Sequence, residues 1–321
     1  MKAIVRHEYG SPDVLRLEEV DKPVPGDDEV LVKVHAVSLN SSDLEFLRGT
    51  PIYTRMWGLF KPRQSILGSD IAGRVEAVGK NAKQFQPGDE VFGDIMYRWG
   101  GFAEYLCAPE DELRLKPASM TFEQIAAVPQ AAVVALQGLR DKGQIQDGQR
   151  VLINGAGGGA GTFAIQIAKA FGAEVTGVDR TSKLDLMRSI GADHVIDFTR
   201  EDFLEIGKRY DLILDLVARR SIFDWSRALS SEGSYVLVGG SLPRLLQTLF
   251  LGPLFSIVGK KKMGVLAAEQ NKKDDLVCIQ ELIESGKVRP VIGRRFPLSE
   301  VAEALRHLGA GEALGNVVIT I

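Results

Sequence analysis

Apolar and polar positions alternate with two different textures along the chain. Up to residue 117 the apolar positions gather in short runs at 3–6, 14–20, 29–39, 73–78, 90–92 and 103–107. Turn residues separate them, notably Pro23-Val24-Pro25-Gly26-Asp27 and Gln86-Pro87-Gly88-Asp89, where proline fixes φ and glycine permits positive φ. Many short strands with few helices predict a small β-barrel or sandwich. After residue 121 the period lengthens. A helical pattern covers 122–139; apolar strands at 151–153, 174–178, 194–196, 212–214 and 235–238 then alternate with helices at 160–171, 182–190 and 221–229. Strands that read as unbroken apolar runs are buried on both faces, which predicts a doubly wound parallel sheet with right-handed crossovers. The tail from 274, with a helix at 276–284 and a strand at 317–320, is too short for its own core and is expected to dock on the first domain.

Composition narrows the function. A chain of 321 residues suits two domains. Lys+Arg 39 against Asp+Glu 42 gives a formal charge of -3, so no broad positive field exists to grip a phosphate backbone, and no nucleic-acid partner is expected. Two cysteines, Cys107 and Cys278, build no disulfide framework and fit a reducing cytosol. The first six residues turn charged at once, without the apolar core of a secretory signal, so a cytoplasmic protein is expected. The apolar stretch 245–258 falls short of the roughly 20 residues that span a bilayer, so no membrane insertion is expected.

The sharpest chemical signal is Val151-Leu152-Ile153-Asn154-Gly155-Ala156-Gly157-Gly158-Gly159-Ala160-Gly161, a strand running into five glycines within seven residues and then a helix. Without β-carbons, the backbone at Gly155, Gly157, Gly158, Gly159 and Ala160 can approach a pyrophosphate, and the helix N-terminus adds about half a positive charge. Gly161 lets the helix pack closely on the sheet. A glycine cluster alone also makes a plain turn. Here, however, Asp179 ends the next strand 21 residues after Gly158, near the spacing of about 20 that puts a carboxylate at the adenosine ribose. The pattern predicts a dinucleotide site. Asp179 favours NAD(H), because it accepts ribose hydroxyls and repels a 2′-phosphate. Arg180, with Lys183 nearby, can clamp that phosphate and favours NADP(H); the alternative is that both are solvated residues at a helix head. The balance leans slightly to NADP(H).

Two more motifs, Gly68-Ser69-Asp70-Ile71-Ala72-Gly73-Arg74-Val75 and Pro87-Gly88-Asp89-Glu90-Val91-Phe92-Gly93, precede the glycine turn. With them, over nearly its whole length, the chain resembles the medium-chain dehydrogenase/reductase superfamily, most of all its zinc-free quinone oxidoreductase branch. The resemblance implies an α/β protein with a GroES-like β-rich catalytic domain from 1–122 and 268–321, a Rossmann domain over 123–267, an active site between them, and a homodimer. Zinc-dependent members place a cysteine ligand where this chain has Asn40, and a histidine and a glutamate where it has Ser69 and Asp70. Zinc takes about four N, S or O ligands in a tetrahedron, which Asn40, Ser69 and the isolated Cys107 do not supply, so no metal is expected.

Without a Lewis acid a saturated alcohol is a poor substrate, whereas hydride adds readily to the β-carbon of an enone or quinone while charge moves to the carbonyl oxygen. The expected activity is therefore zinc-independent, NAD(P)H-dependent reduction of a quinone or an α,β-unsaturated ketone or aldehyde, a small-molecule substrate. The resemblance implies that Asn40 and Asp43 organise the nicotinamide-ribose side; the alternative is an Asn N-cap and a helix-start carboxylate. It also implies that Val134 lies beside the nicotinamide, where relatives often carry threonine. The backbone of Val238, Gly239 and Gly240 would hold the carboxamide, unless it is simply a strand-ending turn. Asn316 replaces a cofactor-contacting lysine. These departures at Val134 and Asn316 motivate another reading, a nucleotide-binding sensor or scaffold without turnover; a zinc-free alcohol or aldehyde oxidoreductase is a further alternative.

Three segments stay ambiguous. The aromatic loop around Tyr53, Trp57 and Phe60, with Tyr97 and Trp99, could cap a hydrophobic substrate or serve packing or a subunit contact. The apolar 245–258 run followed by Lys260-Lys261-Lys262 reads as a lid or dimer-contact helix, with a membrane-surface patch as the alternative. Cys107 and Cys278 read as small buried side chains without basic neighbours.

Overall fold

The computed structural model describes every residue except Trp57 and Ile206, and every side chain among the rest except that of Val258. Its contacts divide the chain into two units, 1–130 with 290–321, and 131–289.

In the first unit the central strand is Glu29–Leu39, which pairs antiparallel with Asp70–Val78, Tyr105–Pro109 and Asn316–Thr320. Register shifts at Leu31/Val32 and Val34/Ala36 mark irregularities that let one strand bend and serve three neighbours. Beyond Asp70–Val78 the sheet continues to Glu90–Asp94 and Arg114–Leu115; beyond Asn316–Thr320 it ends at Ile292–Pro297, its one parallel pair. Val30, Val32 and Val34 alternate into the core, and from Ala36 to Leu39 every residue is buried. The strand-rich reading of the front half thus describes the unit, and the last strand of the chain docks in it as expected.

The second unit is a six-stranded sheet in the order His194–Asp197, Glu174–Asp179, Arg150–Asn154, Tyr210–Asp215, Leu229–Leu237, Lys262–Val265, with every pair parallel. Numbered along the chain this is 3-2-1-4-5-6, the doubly wound dinucleotide-binding order. Val151, Leu152 and Ile153 are fully buried, as expected of a strand covered on both faces.

Two helical expectations change. The 122–139 run breaks into Phe122–Ala126, capped by a Thr121/Gln124 box, then Pro129–Leu136 and a π-helical stretch Gln137–Lys142. Pro129 interrupts the first helix because the residue before a proline avoids the α region. The tail helix, Lys273–Glu284, belongs to the second unit rather than docking on the first. Buried Asp275 anchors it there, accepting from Gln137 Nε2 at 2.6 Å and from the Arg140 guanidinium at 2.5 Å.

Candidate active site

In the second unit the strand Arg150–Asn154 ends at the point where strand order reverses, and the glycine turn leaves from there. Gly155 adopts φ +84°, open to glycine at no steric cost, and donates to Val178 O at 3.0 Å. Gly158 caps the helix Gly159–Ala170, whose first ladder bond runs from Thr162 N–H to Gly158 O at 2.9 Å, so the amides of Gly159 and Ala160 precede the ladder. Gly161 meets its packing role literally: a β-carbon there would sit 2.2 Å from Gly155 O. A β-carbon on Gly158 would meet nothing nearer than 3.6 Å, so the open side of the turn is at Gly158. This is the cradle a pyrophosphate requires, and the residues present fit a dinucleotide.

Asp179 does not stand open to a ribose. It is 6% exposed; Oδ2 accepts the Gly157 N–H at 3.0 Å and Oδ1 accepts the Arg180 N–H at 2.9 Å. Lys183, expected to be solvated or to clamp a phosphate, is buried, with Nζ 3.7 Å from Asp179 Oδ2. Burial lowers the Lys183 ammonium pKa and the Asp179 charge opposes that shift. Arg180 is only half-buried at the strand end.

The neighbouring loops converge on the same edge. Asp215, fully buried, accepts from Asn154 Nδ2 at 2.8 Å, from Ala218 N–H at 3.0 Å and from Tyr235 Oη at 3.0 Å. Val238 donates to Asp215 O at 2.9 Å, and Gly239 and Gly240 follow with φ +65° and +109°. A β-carbon on Gly155 would strike Val217, and one on Gly240 would strike Ala218, so the turns after three strands lie side by side. Val134 is half-buried on Pro129–Leu136.

In the first unit Asn40, Asp43, Asp70 and Gln130 form a polar row in which the two carboxylates are fully buried. Asn40 caps the helix Ser41–Arg48; its N–H donates to Asp43 Oδ2 at 2.7 Å and its Nδ2 to Asp70 Oδ2 at 3.0 Å. Asp70 Oδ2 also accepts the Gln130 N–H at 3.0 Å, and Gln130 Oε1 accepts from Ser42 Oγ at 2.9 Å. Strand register sets Ser38 opposite Asp70, and Asp70 opposite Asp94. Burial pushes the Asp43 carboxyl up to about 7 and Asp94 up to about 6, and holds Asp70 well above the ordinary carboxylate range, with the Asp94 charge adding to the effect on Asp70. Asp43 is fully buried, and its Oδ2 holds the Asn40 backbone N–H. Val317 pairs with Leu39 at the end of the central strand, and Asn316 begins the last strand. Asn316 is 2% exposed and its Nδ2 donates to Val291 O at 3.1 Å, so it closes its own sheet.

Asp70, Asp94, Gln130 and Asp215 were not singled out from the sequence as site residues. In the sequence Asp70 stands out only as a departure from a zinc-ligand pattern. Elsewhere, Tyr53 donates to Glu45 at 3.2 Å, Trp57 lies outside the described residues, and Tyr97 is exposed. Neither cysteine is fully buried, and partial burial pushes the Cys107 thiol up to about 11, away from reactivity.

Two family models match, an alcohol dehydrogenase GroES-like domain over residues 26–118 and a zinc-binding dehydrogenase over residues 190–319. A 2-methylene-furan-3-one reductase of Solanum lycopersicum is 35% identical across 99% of this chain and 79% of its own length. An NADPH-dependent alkenal/one oxidoreductase of Arabidopsis thaliana, a chloroplast protein, is 34% identical across 99% and 79%. Among solved structures, the quinone oxidoreductase from Coxiella burnetii superposes with TM-score 0.90 at 28% identity, over 100% of this chain and 99% of that one. The chain belongs to the medium-chain dehydrogenase/reductase superfamily. Within it, the match falls in the quinone oxidoreductase-like branch.

The zinc named in one family model calls for about four N, S or O ligands in a tetrahedral set. Among the described residues no three His, Cys, Asp or Glu side chains stand together to hold a metal ion. At the buried row, Asn40 and Ser69 are poor zinc donors, no imidazole or thiolate is at hand, and the Asp43 and Asp70 oxygens that bond do so to amides. The residues do not fit zinc. No helix of the described residues is long and apolar enough to cross a membrane.

Proposed function

We propose that the protein is an NAD(P)H-dependent oxidoreductase that delivers hydride to the β-carbon of a quinone or an α,β-unsaturated ketone or aldehyde, working without zinc and preferring NADP(H). The observation that carries this reading is the glycine turn at the switch point, with Gly161 packed against Gly155 and an open face at Gly158. Relatives named for enone and quinone reduction supply the substrate class.

Bound reduced nicotinamide supplies the hydride. The chain's own residues position it. Backbone amides at Gly159 and Ala160 hold the pyrophosphate against the helix N-terminus, while the Gly158 N–H closes the turn on Gly155 O at 3.2 Å. Asp179 is occupied by the Gly157 amide and Lys183, which takes away the carboxylate that would repel a 2′-phosphate and leaves partly exposed Arg180 to bind one. Tied through Nδ2 to Asp70, Asn40 presents its carbonyl oxygen as an acceptor for a hydroxyl or amide of the nicotinamide side. Asp70 and Asp43 are positioning residues for Asn40, one through its side chain and the other through its backbone.

Product analysis tests the reaction. With NADPH and an α,β-unsaturated ketone the expected product is the saturated ketone; an allylic alcohol would show attack at the carbonyl carbon and refute the proposal.

A further inference from the structure

The second unit holds a cavity that the proposed reaction does not use. It measures about 430 Å³, within the roughly 300–1,000 Å³ of pockets that take small ligands. Phe223 on the helix Ile222–Ala228, and Leu251, Leu254 and Phe255 on the helix Leu242–Val258, form its apolar walls. The two phenylalanine rings meet edge to face, centroids 6.0 Å apart. Lys260 and Lys261 stand at its mouth. Topology separates it from the nucleotide turn. It touches Ser231, near the start of Leu229–Leu237, and residues 259–261, just before Lys262–Val265, so it lies at the N-terminal edge of the parallel sheet. The glycine turn leaves the C-terminal edge.

Two features indicate the occupant. The helix is apolar outward as well as inward: among its described exposed positions only Ser256 is polar, and Phe250 and Ile257 are 69% and 79% exposed. A helix apolar on all sides calls for a cover. Charge is one-sided, because residues 241–262 carry Arg244, Lys260, Lys261 and Lys262 and no acid. Lys260 pairs with Glu232. Lys261 has no carboxylate within ion-pair distance among the described residues; it donates to Ser226 O at 2.5 Å, and Arg209 adds to the positive field around it. A neutral apolar molecule on this face would leave Lys261 without a counter-charge.

We infer that this groove binds a single-chain amphiphile with a carboxylate head, its chain between Phe223, Leu254 and Phe255 and its head at Lys261. The size of the cavity suits one chain. Calorimetric titration of the full chain with octanoate, decanoate and dodecanoate, below their aggregation concentrations, tests it. Affinity is expected to rise about fourfold per methylene until the groove is full. Dodecanol is expected to bind roughly tenfold more weakly than dodecanoate, and Lys261→Gln to weaken dodecanoate by about fivefold or more while NADPH affinity stays unchanged. Leu254→Trp, at an exposed position, is expected to block dodecanoate and leave the melting temperature unchanged. Equal binding of dodecanol and dodecanoate, no saturable binding, or indifference to Leu254→Trp would overturn the inference. So would binding only to vesicles containing phosphatidylglycerol, or a dimer in sedimentation that buries the groove and excludes dodecanoate.

Discussion

Asp43 sits where a carboxylate is expensive, fully buried with its proton affinity raised to about 7 against an ordinary 3.8. A folded-state pKa above the unfolded one means the native state holds the proton more tightly, so this contribution is full below about pH 4 and is lost as pH rises through 7. The slope in that window is about 1.4 kcal/mol per pH unit for one group. Asp43→Asn keeps an acceptor for the Asn40 amide and removes the titration. The stability difference between variant and parent, from denaturant melts at pH 5 and pH 8, is expected to shift in favour of the variant at the higher pH; a pH-independent difference would refute the assignment. Asp70→Asn tests positioning instead: kcat is expected to fall roughly tenfold or more from misplacement of Asn40, with NADPH affinity within about twofold because the phosphate cradle is untouched, and Asp70→Glu is expected to recover part of kcat. The place of Asp70 was hidden in the sequence because it depends on strand register, Ser38 against Asp70 and Asp70 against Asp94, between residues 32 and 24 positions apart.

At the scale of the element, the glycine turn was legible because strand, turn and helix are contiguous and each glycine has a local reason. Gly161 and Gly158 now separate by consequence. Gly161→Val drives a side chain into Gly155 O and is expected to destabilise the fold, read as a lowered melting temperature. Gly158→Val meets open space, so the melting temperature is expected to hold while NADPH affinity falls at least about tenfold, or 1.4 kcal/mol. Unchanged affinity would remove the turn from the site. Arg180→Ala is expected to reduce the NADPH-over-NADH preference in kcat/KM by roughly tenfold, since a charge-assisted hydrogen bond is worth about 1.5–3 kcal/mol. The inward turn of Asp179 was not legible, because its partners, Gly157 and Lys183, flank it 22 residues before and four after and meet only when the strands pair.

Across the whole molecule, two textures of patterning became two units, a mixed sheet centred on Glu29–Leu39 and a parallel sheet in dinucleotide-binding order. What patterning missed was allegiance. The helix Lys273–Glu284 shows an ordinary amphipathic period that names no partner, whereas the buried Asp275 contacts with Gln137 and Arg140 tie it into the second unit. The proposed reaction is metal-independent hydride transfer from a reduced pyridine nucleotide to an electron-poor alkene or quinone. Steady-state turnover of chelator-treated protein, with NADPH and NADH in turn against a quinone and an enone, tests it most directly. Turnover is expected to be undiminished by chelation, with the larger kcat/KM for NADPH; consumption of neither nucleotide, or activity lost on chelation and restored by zinc, would rule this reaction out.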